Sequence, residues 1–169
     1  MRGDYLSEIP QQVIDDLVNG EMYLFSDWPN DDLPDIAIGI YAIWKGDDFA
    51  YVGIAGRSLQ SADYQMKSNK KKGLKQRLGT HWKGGLGGDQ FCVYVFERFL
   101  CDILTTEDLK QMVNKEVTLA ELNRDYIRNN LSYRFTILDS YKDALAIETR
   151  IKKGEIEQIG KPYLNGLSG

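Results

Sequence analysis

Ile38-Gly39-Ile40-Tyr41-Ala42-Ile43-Trp44, then Lys45-Gly46-Asp47-Asp48, then Phe49-Ala50-Tyr51-Val52-Gly53-Ile54 is the stretch whose reading decides the fold. Both flanking runs are rich in β-branched and aromatic residues. The polar, glycine-containing link between them reads as a hairpin turn. Working outward, residues 91–100 read as a third strand and residues 133–138 as a fourth. Helices are expected over residues 73–82, once or twice within 105–130, and over 141–153. Strands and helices do not alternate regularly, so the fold class expected is α+β: a small, mostly antiparallel β-sheet flanked by helices, with helical insertions.

Before the hairpin lies a short amphipathic helix, with Ser7 as its N-cap, Pro10 in its first turn and Val13, Ile14, Leu17 and Val18 at helical spacing. Asn19-Gly20 ends it, and a loop rich in Pro, Asn and Asp follows. We therefore expect an acidic helical extension over residues 1–35 and a main domain over 36–169, with insertions near 55–72 and 101–131. A 169-residue chain with 43% hydrophobic and 27% charged residues suits a globular protein with a core of ordinary size. No apolar run is long enough to span a membrane, and the first residues lack the basic-then-apolar order of a signal peptide, so no membrane association and a cytoplasmic location are expected. With a single histidine and no C-x-x-C pair, Cys92 and Cys101 read as small packed apolar groups rather than zinc ligands.

The net charge of -4 hides a separation of sign along the chain. Residues 1–38 carry nine acids against one base, Arg2. Residues 66–88 carry Lys67, Lys70, Lys71, Lys72, Lys75, Arg77 and Lys83 with no acid. Seven cations together can hold a polyanion by neutralising phosphates, although such a run, taken alone, is more often a solvated loop. The run Gly84-Gly85-Leu86-Gly87-Gly88 lacks the G-K-[ST] ending of a phosphate loop and reads as a flexible turn before a strand.

Two helices place polar groups where packing alone would not. Ala144, Ile147 and Ile151 define a core stripe, and Glu148 falls on it, so a partly buried carboxylate there needs a cationic partner or a metal. In the earlier helix, Leu74, Leu78 and Trp82 form the apolar line, while Arg77 and His81, four residues apart, share an adjacent face.

Taken in order, these residues resemble the GIY-YIG nucleases, a family that includes bacterial repair incision subunits, phage intron homing endonucleases and some restriction enzymes. The resemblance runs from Gly39 to Asn165. Gly39-Ile40-Tyr41 and Tyr51-Val52-Gly53 are similar to the paired strand motif, Arg77 to the helix arginine, His81 to the histidine that follows it, Glu148 to the metal-binding glutamate and Asn165, in Lys161-Pro162-Tyr163-Leu164-Asn165, to the closing asparagine. Many members carry a lysine directly after the second motif, where this chain has Ile54; any role for that lysine is lost or passes to Arg57 or the lysine cluster.

The resemblance implies a divalent-metal-dependent endonuclease acting on DNA, with Mg²⁺ or Mn²⁺ as cofactor, and the side chains suit the chemistry. Phosphodiester hydrolysis puts negative charge on the phosphoryl and leaving oxygens, so the site needs cations and a proton acceptor for water. Arg77 can donate to the scissile phosphate, and Glu148 can hold one hard cation. Tyr41 is the expected proton acceptor, although a free phenol titrates near 10. Tyr51 would orient that network, and His81 would take a proton from Tyr41 or touch the phosphate. Gly53 would let the backbone turn tightly beside substrate, and Asn165 would fix the chain end. Arg57 joins Lys67, Lys70, Lys71, Lys72, Lys75 and Lys83 as the expected nucleic-acid contacts. The alternative is a non-cutting nucleic-acid-binding or regulatory module of the same fold. The acidic first segment is expected to dock a protein partner or to cover the basic groove.

Overall fold

A computed structural model of the chain describes residues 8–60 and 72–165. The helices are α1 Gln11–Val18, α2 Leu74–Lys83, α3 Gln90–Val95, α4 Thr106–Val113, α5 Leu119–Asn130 and α6 Tyr141–Lys153. The strands are β1 Tyr23–Leu24, β2 Ile36–Lys45, β3 Asp48–Ala55, β4 Lys72–Gly73 and β5 Ser132–Leu138. The architecture is α+β, as expected. The sheet order is β1-β5-β2-β3 with antiparallel neighbours, while the short β4 pairs parallel with the start of β2.

Strand β2 sits at the centre, and its near-continuous apolar run follows from having both faces covered. Ala37, Tyr41 and Ile43 point into one cluster, built with Leu74 and Leu78 of α2, Phe91, Cys92 and Val95 of α3, and Ile127 of α5. Ile38, Ile40, Ala42 and Trp44 point into the other, against Val13, Ile14 and Leu17 of α1 and Ala144, Ile147 and Ile151 of α6. The period-2 alternation of one strand thus sorts the helices onto the two faces.

The hairpin forms as expected, with Lys45 opposite Asp48 and a register shift between Ile43 and Trp44. Its register sets Tyr41 directly opposite Gly53. Beside β3, the chain end forms a partial cover: Tyr163 and Leu164 donate their backbone N–H groups to the carbonyls of Phe49 and Ala50, at 3.0 and 2.7 Å. Asn165 completes it by accepting from Val52 N–H through Oδ1 at 2.7 Å and donating from Nδ2 to Val52 O at 2.9 Å. Residues 53–55, further along β3, face the cleft described below.

Two expectations are corrected. Residues 91–100 are not a strand: they form α3 and a π-helical turn over Phe96–Leu100. Asp89 caps α3 by accepting from Phe91 N–H, and Phe91, Cys92, Tyr94 and Val95 are buried at helical spacing, so the glycine-rich run leads into a helix. The tertiary surroundings override the β preference of an aromatic and β-branched run. The acidic segment, expected as an extension, is instead packed into the same two clusters, with Phe25 and Leu33 in the first and α1 in the second. Thr136 Oγ1 also donates to Asp16 Oδ2 at 2.7 Å, and Arg134 Nε donates to Gly20 O at 2.9 Å. The N-cap expected at Ser7 lies outside the described residues; Pro10 immediately precedes α1. Among the described residues no helix is long and apolar enough to cross a membrane.

Candidate active site

The β3 cleft, about 1060 Å³ in volume, is where groups from opposite faces of the sheet meet. Tyr41 and Tyr51 reach it from the first face, Arg77 from α2, and Tyr141, Leu145, Glu148 and Lys152 from α6. Gly53 makes the crossing feasible. A Cβ built there would lie 2.2 Å from the Tyr41 hydroxyl, so its hydrogen makes room for the phenol ring rather than for a tight turn, which corrects the role expected of it. Gly39 works the same way on the other neighbour: a Cβ would lie 2.3 Å from Thr136 O and 2.6 Å from Leu74 Cδ1.

The tyrosine hydroxyl is tied into a buried chain. Tyr41 Oη lies 2.7 Å from His81 Nε2, and His81 Nδ1 lies 2.6 Å from Asp89 Oδ2. Tyr41 and His81 have no exposed surface, and Asp89 is 2% exposed. His81 therefore contacts Tyr41 and stands behind it, since Tyr41 lines the cleft and His81 does not. The Arg77 guanidinium, half-buried, lies beside the Tyr41 and Tyr51 hydroxyls. Tyr51 stands diagonal to Tyr41 on the same face, ring centroids 6.4 Å apart.

Burial dominates the electrostatics. It pushes the Tyr41 phenol well above its ordinary 10, with Tyr51 adding to the shift and Arg77 opposing it. Burial likewise pushes Tyr51 up to about 12, against the pull of Arg77. His81 is lowered from 6.5 by burial, with Arg77 adding and Asp89 opposing, so the ring is neutral at pH 7. For Asp89, burial raises the value, but His81, the Cys92 thiol and Arg77 together outweigh it, and the group stays a carboxylate. Burial works against the Arg77 cation, yet Tyr41, Asp89 and Tyr51 outweigh it and hold the guanidinium charged.

Glu148 is 7% exposed, on the core stripe where its spacing put it, and its Oε1 accepts an ion pair from Lys152 Nζ at 2.8 Å. The pairing expected of a buried carboxylate is met by a residue one helical turn later. Lys152 was not singled out from the sequence; its i,i+4 offset from Glu148 was the available signal. Arg57 and Lys72 line the cleft, and Lys83 is exposed on α2. Lys75, expected among the nucleic-acid contacts, is instead buried and paired with Asp35 at 3.1 Å. Lys67, Lys70 and Lys71 lie outside the described residues.

One ligand atom each from His81, Asp89 and Cys92 lie within 4.8 Å of one another, a grouping able to hold a metal ion. Its contacts are those of a hydrogen-bonded cluster, with the Cys92 thiol donating to Asp89 Oδ2 at 3.3 Å. Burial pushes that thiol far up and disfavours the thiolate a soft metal needs. Cys101, read from the sequence as packed, is exposed. Asp89 itself was missed because the run after it read as a strand. Comparison with protein-family models, with curated proteins and with solved structures finds no match to this chain.

Proposed function

We propose that the protein is a divalent-metal-dependent endonuclease that hydrolyses phosphodiester bonds in DNA, by chemistry of the kind its GIY-YIG-like residues imply. The observation that carries the reading is the meeting, in one cleft, of a tyrosine hydrogen-bonded from behind by a buried histidine, a charged arginine and a carboxylate, drawn from opposite faces of the sheet.

In this reading Arg77 binds the scissile phosphate and neutralises charge as it develops on the phosphoryl oxygens. Tyr41 takes a proton from the attacking water as its own hydroxyl proton passes to His81 Nε2, so no free phenolate is required despite the raised pKa. Tyr51 packs beside Tyr41 and orients its hydroxyl. Glu148, the single carboxylate lining the cleft among the described residues, fits Mg²⁺ or Mn²⁺, since Mg²⁺ keeps most of its water. When bound, such a cation supplies Lewis-acid stabilisation to the phosphate and the leaving oxygen. Lys152 would yield Glu148 to it, because a dication carries twice the charge of the ammonium, whose own side chain is 41% exposed and can turn to solvent. Arg57, Lys72 and Lys152 hold flanking phosphates.

The Glu148–Lys152 pair also favours a second reading, a nucleic-acid-binding module that does not cut, in which the lysine holds the carboxylate permanently. Incubation of purified protein with linear, supercoiled, single-stranded and branched DNA, with Mg²⁺, Mn²⁺ or chelator, separates the two. Cleavage that requires metal is expected; binding without cleavage of any form would establish the non-cutting module.

A further inference from the structure

We infer that Asp89 is a positioning residue: its carboxylate fixes His81 in the tautomer whose Nε2 can receive the Tyr41 proton. The inference rests on the nuclease reading for the purpose of the relay, but the tautomer itself is a property of three buried side chains.

Each ring nitrogen of His81 has one neighbour, Asp89 at Nδ1 and Tyr41 at Nε2. A neutral imidazole carries one proton, so one nitrogen donates and the other accepts. A carboxylate accepts only. Asp89 therefore claims the proton on Nδ1, which leaves Nε2 bare and pointed at the Tyr41 hydroxyl. A phenol can donate or accept, so Tyr41 does not choose the tautomer; the acidic group does. Asp89 is itself fixed from two further directions, since Oδ1 accepts from Phe91 N–H at 3.2 Å and Oδ2 accepts from the Cys92 thiol at 3.3 Å. The first turn of α3 thus holds the carboxylate that orients the ring.

When Tyr41 passes its proton to Nε2, the product is an imidazolium with no exposed surface. An uncompensated charge there is costly, and Asp89 supplies the opposite charge at 2.6 Å. The carboxylate thus sets the acceptor before the transfer and stabilises the cation after it, without touching substrate.

Asp89→Asn reverses the logic. To keep the Phe91 cap the amide must place its oxygen on that N–H, which turns its NH₂ toward Nδ1. His81 must then accept at Nδ1 and carry its proton on Nε2, where it donates to Tyr41 and no longer accepts from it. The opposite amide orientation would set an NH₂ against the Phe91 N–H and lose the cap.

The chain's single histidine makes the test direct. With ¹⁵N-labelled imidazole, long-range ¹H–¹⁵N correlation spectra report which nitrogen carries the proton. Wild-type protein and Tyr41→Phe should both show Nδ1–H, and Asp89→Asn should show Nε2–H with a cleavage rate lower by about 10²–10⁴. Cys92→Ala, which removes a donor to Asp89 but leaves the carboxylate, should keep the wild-type tautomer. An Nε2–H wild-type ring, a switch in Tyr41→Phe, or a folded Asp89→Asn that keeps Nδ1–H would each overturn the assignment. If Asp89→Asn does not fold, the wild-type and Tyr41→Phe spectra decide. Wild-type protein that cuts no DNA would defeat the nuclease reading, while the spectra would still decide the role of Asp89.

Discussion

Glu148 and Tyr41 are separated by what their substitutions should do. Glu148→Gln keeps the shape of the side chain and removes its charge, so calorimetric Mn²⁺ binding and cleavage should both fail while DNA binding survives. Tyr41→Phe should bind metal and DNA normally and cut about 100-fold more slowly or worse in single turnovers. Lys152 adds a third arm: Lys152→Ala should tighten Mn²⁺ binding, because it removes the cation that competes for the buried Glu148 carboxylate, and weaken DNA binding. Weaker Mn²⁺ binding in that variant would show that the lysine supports the metal site instead of competing for it. Proton linkage gives a further residue-scale expectation. Because the folded His81 pKa is lowered, the unfolded chain takes up a proton that the native ring refuses as pH falls below about 6.5, so stability is full above that value and declines below it. Thermal unfolding across pH 5–8 should show this decline in wild type and lack that component in a folded His81→Gln.

Elements decide which of these residues were legible in advance. Arg77, His81 and Glu148 were visible because helical spacing puts them on definite faces, and α2 and α6 form as that spacing requires. Asp89 was hidden: an aromatic and β-branched run after a glycine-rich turn satisfies the strand pattern, and only the aspartate two residues before Phe91 signalled a capped helix. The role of Gly53 was hidden for another reason, since register is a property of two strands together and Tyr41 opposite Gly53 follows only once the hairpin is closed. That pairing is testable. Gly53→Ala puts a methyl group where the buried Tyr41 ring lies and should cost about 1–3 kcal/mol with a large loss of cleavage. Gly85→Ala, whose Cβ meets nothing within 4 Å, should do neither. Equal urea midpoints for the two variants would show that the ring has room to move.

At the scale of the whole molecule, the acidic first segment is where sequence and structure part most. Its charge and the loop after it mark it as separable, but charge pattern reports the solvent side of a helix and is silent about the buried side. Val13, Ile14 and Leu17 are all at most 4% exposed, and α1 covers one face of the central sheet. Burying three such side chains is worth roughly 5–9 kcal/mol, as large as the entire stability of many domains. Removal of residues 1–20 should therefore abolish cooperative urea unfolding and leave a partly collapsed chain, whatever the segment does for partners. Leu17→Ala, a smaller lesion at a fully buried site, should remain folded and lose about 2–5 kcal/mol. A truncated chain that unfolds cooperatively at the wild-type midpoint would show that α1 is an appendage. The expected result instead makes the segment part of the scaffold that holds β2, and through β2 the Tyr41 hydroxyl, against His81.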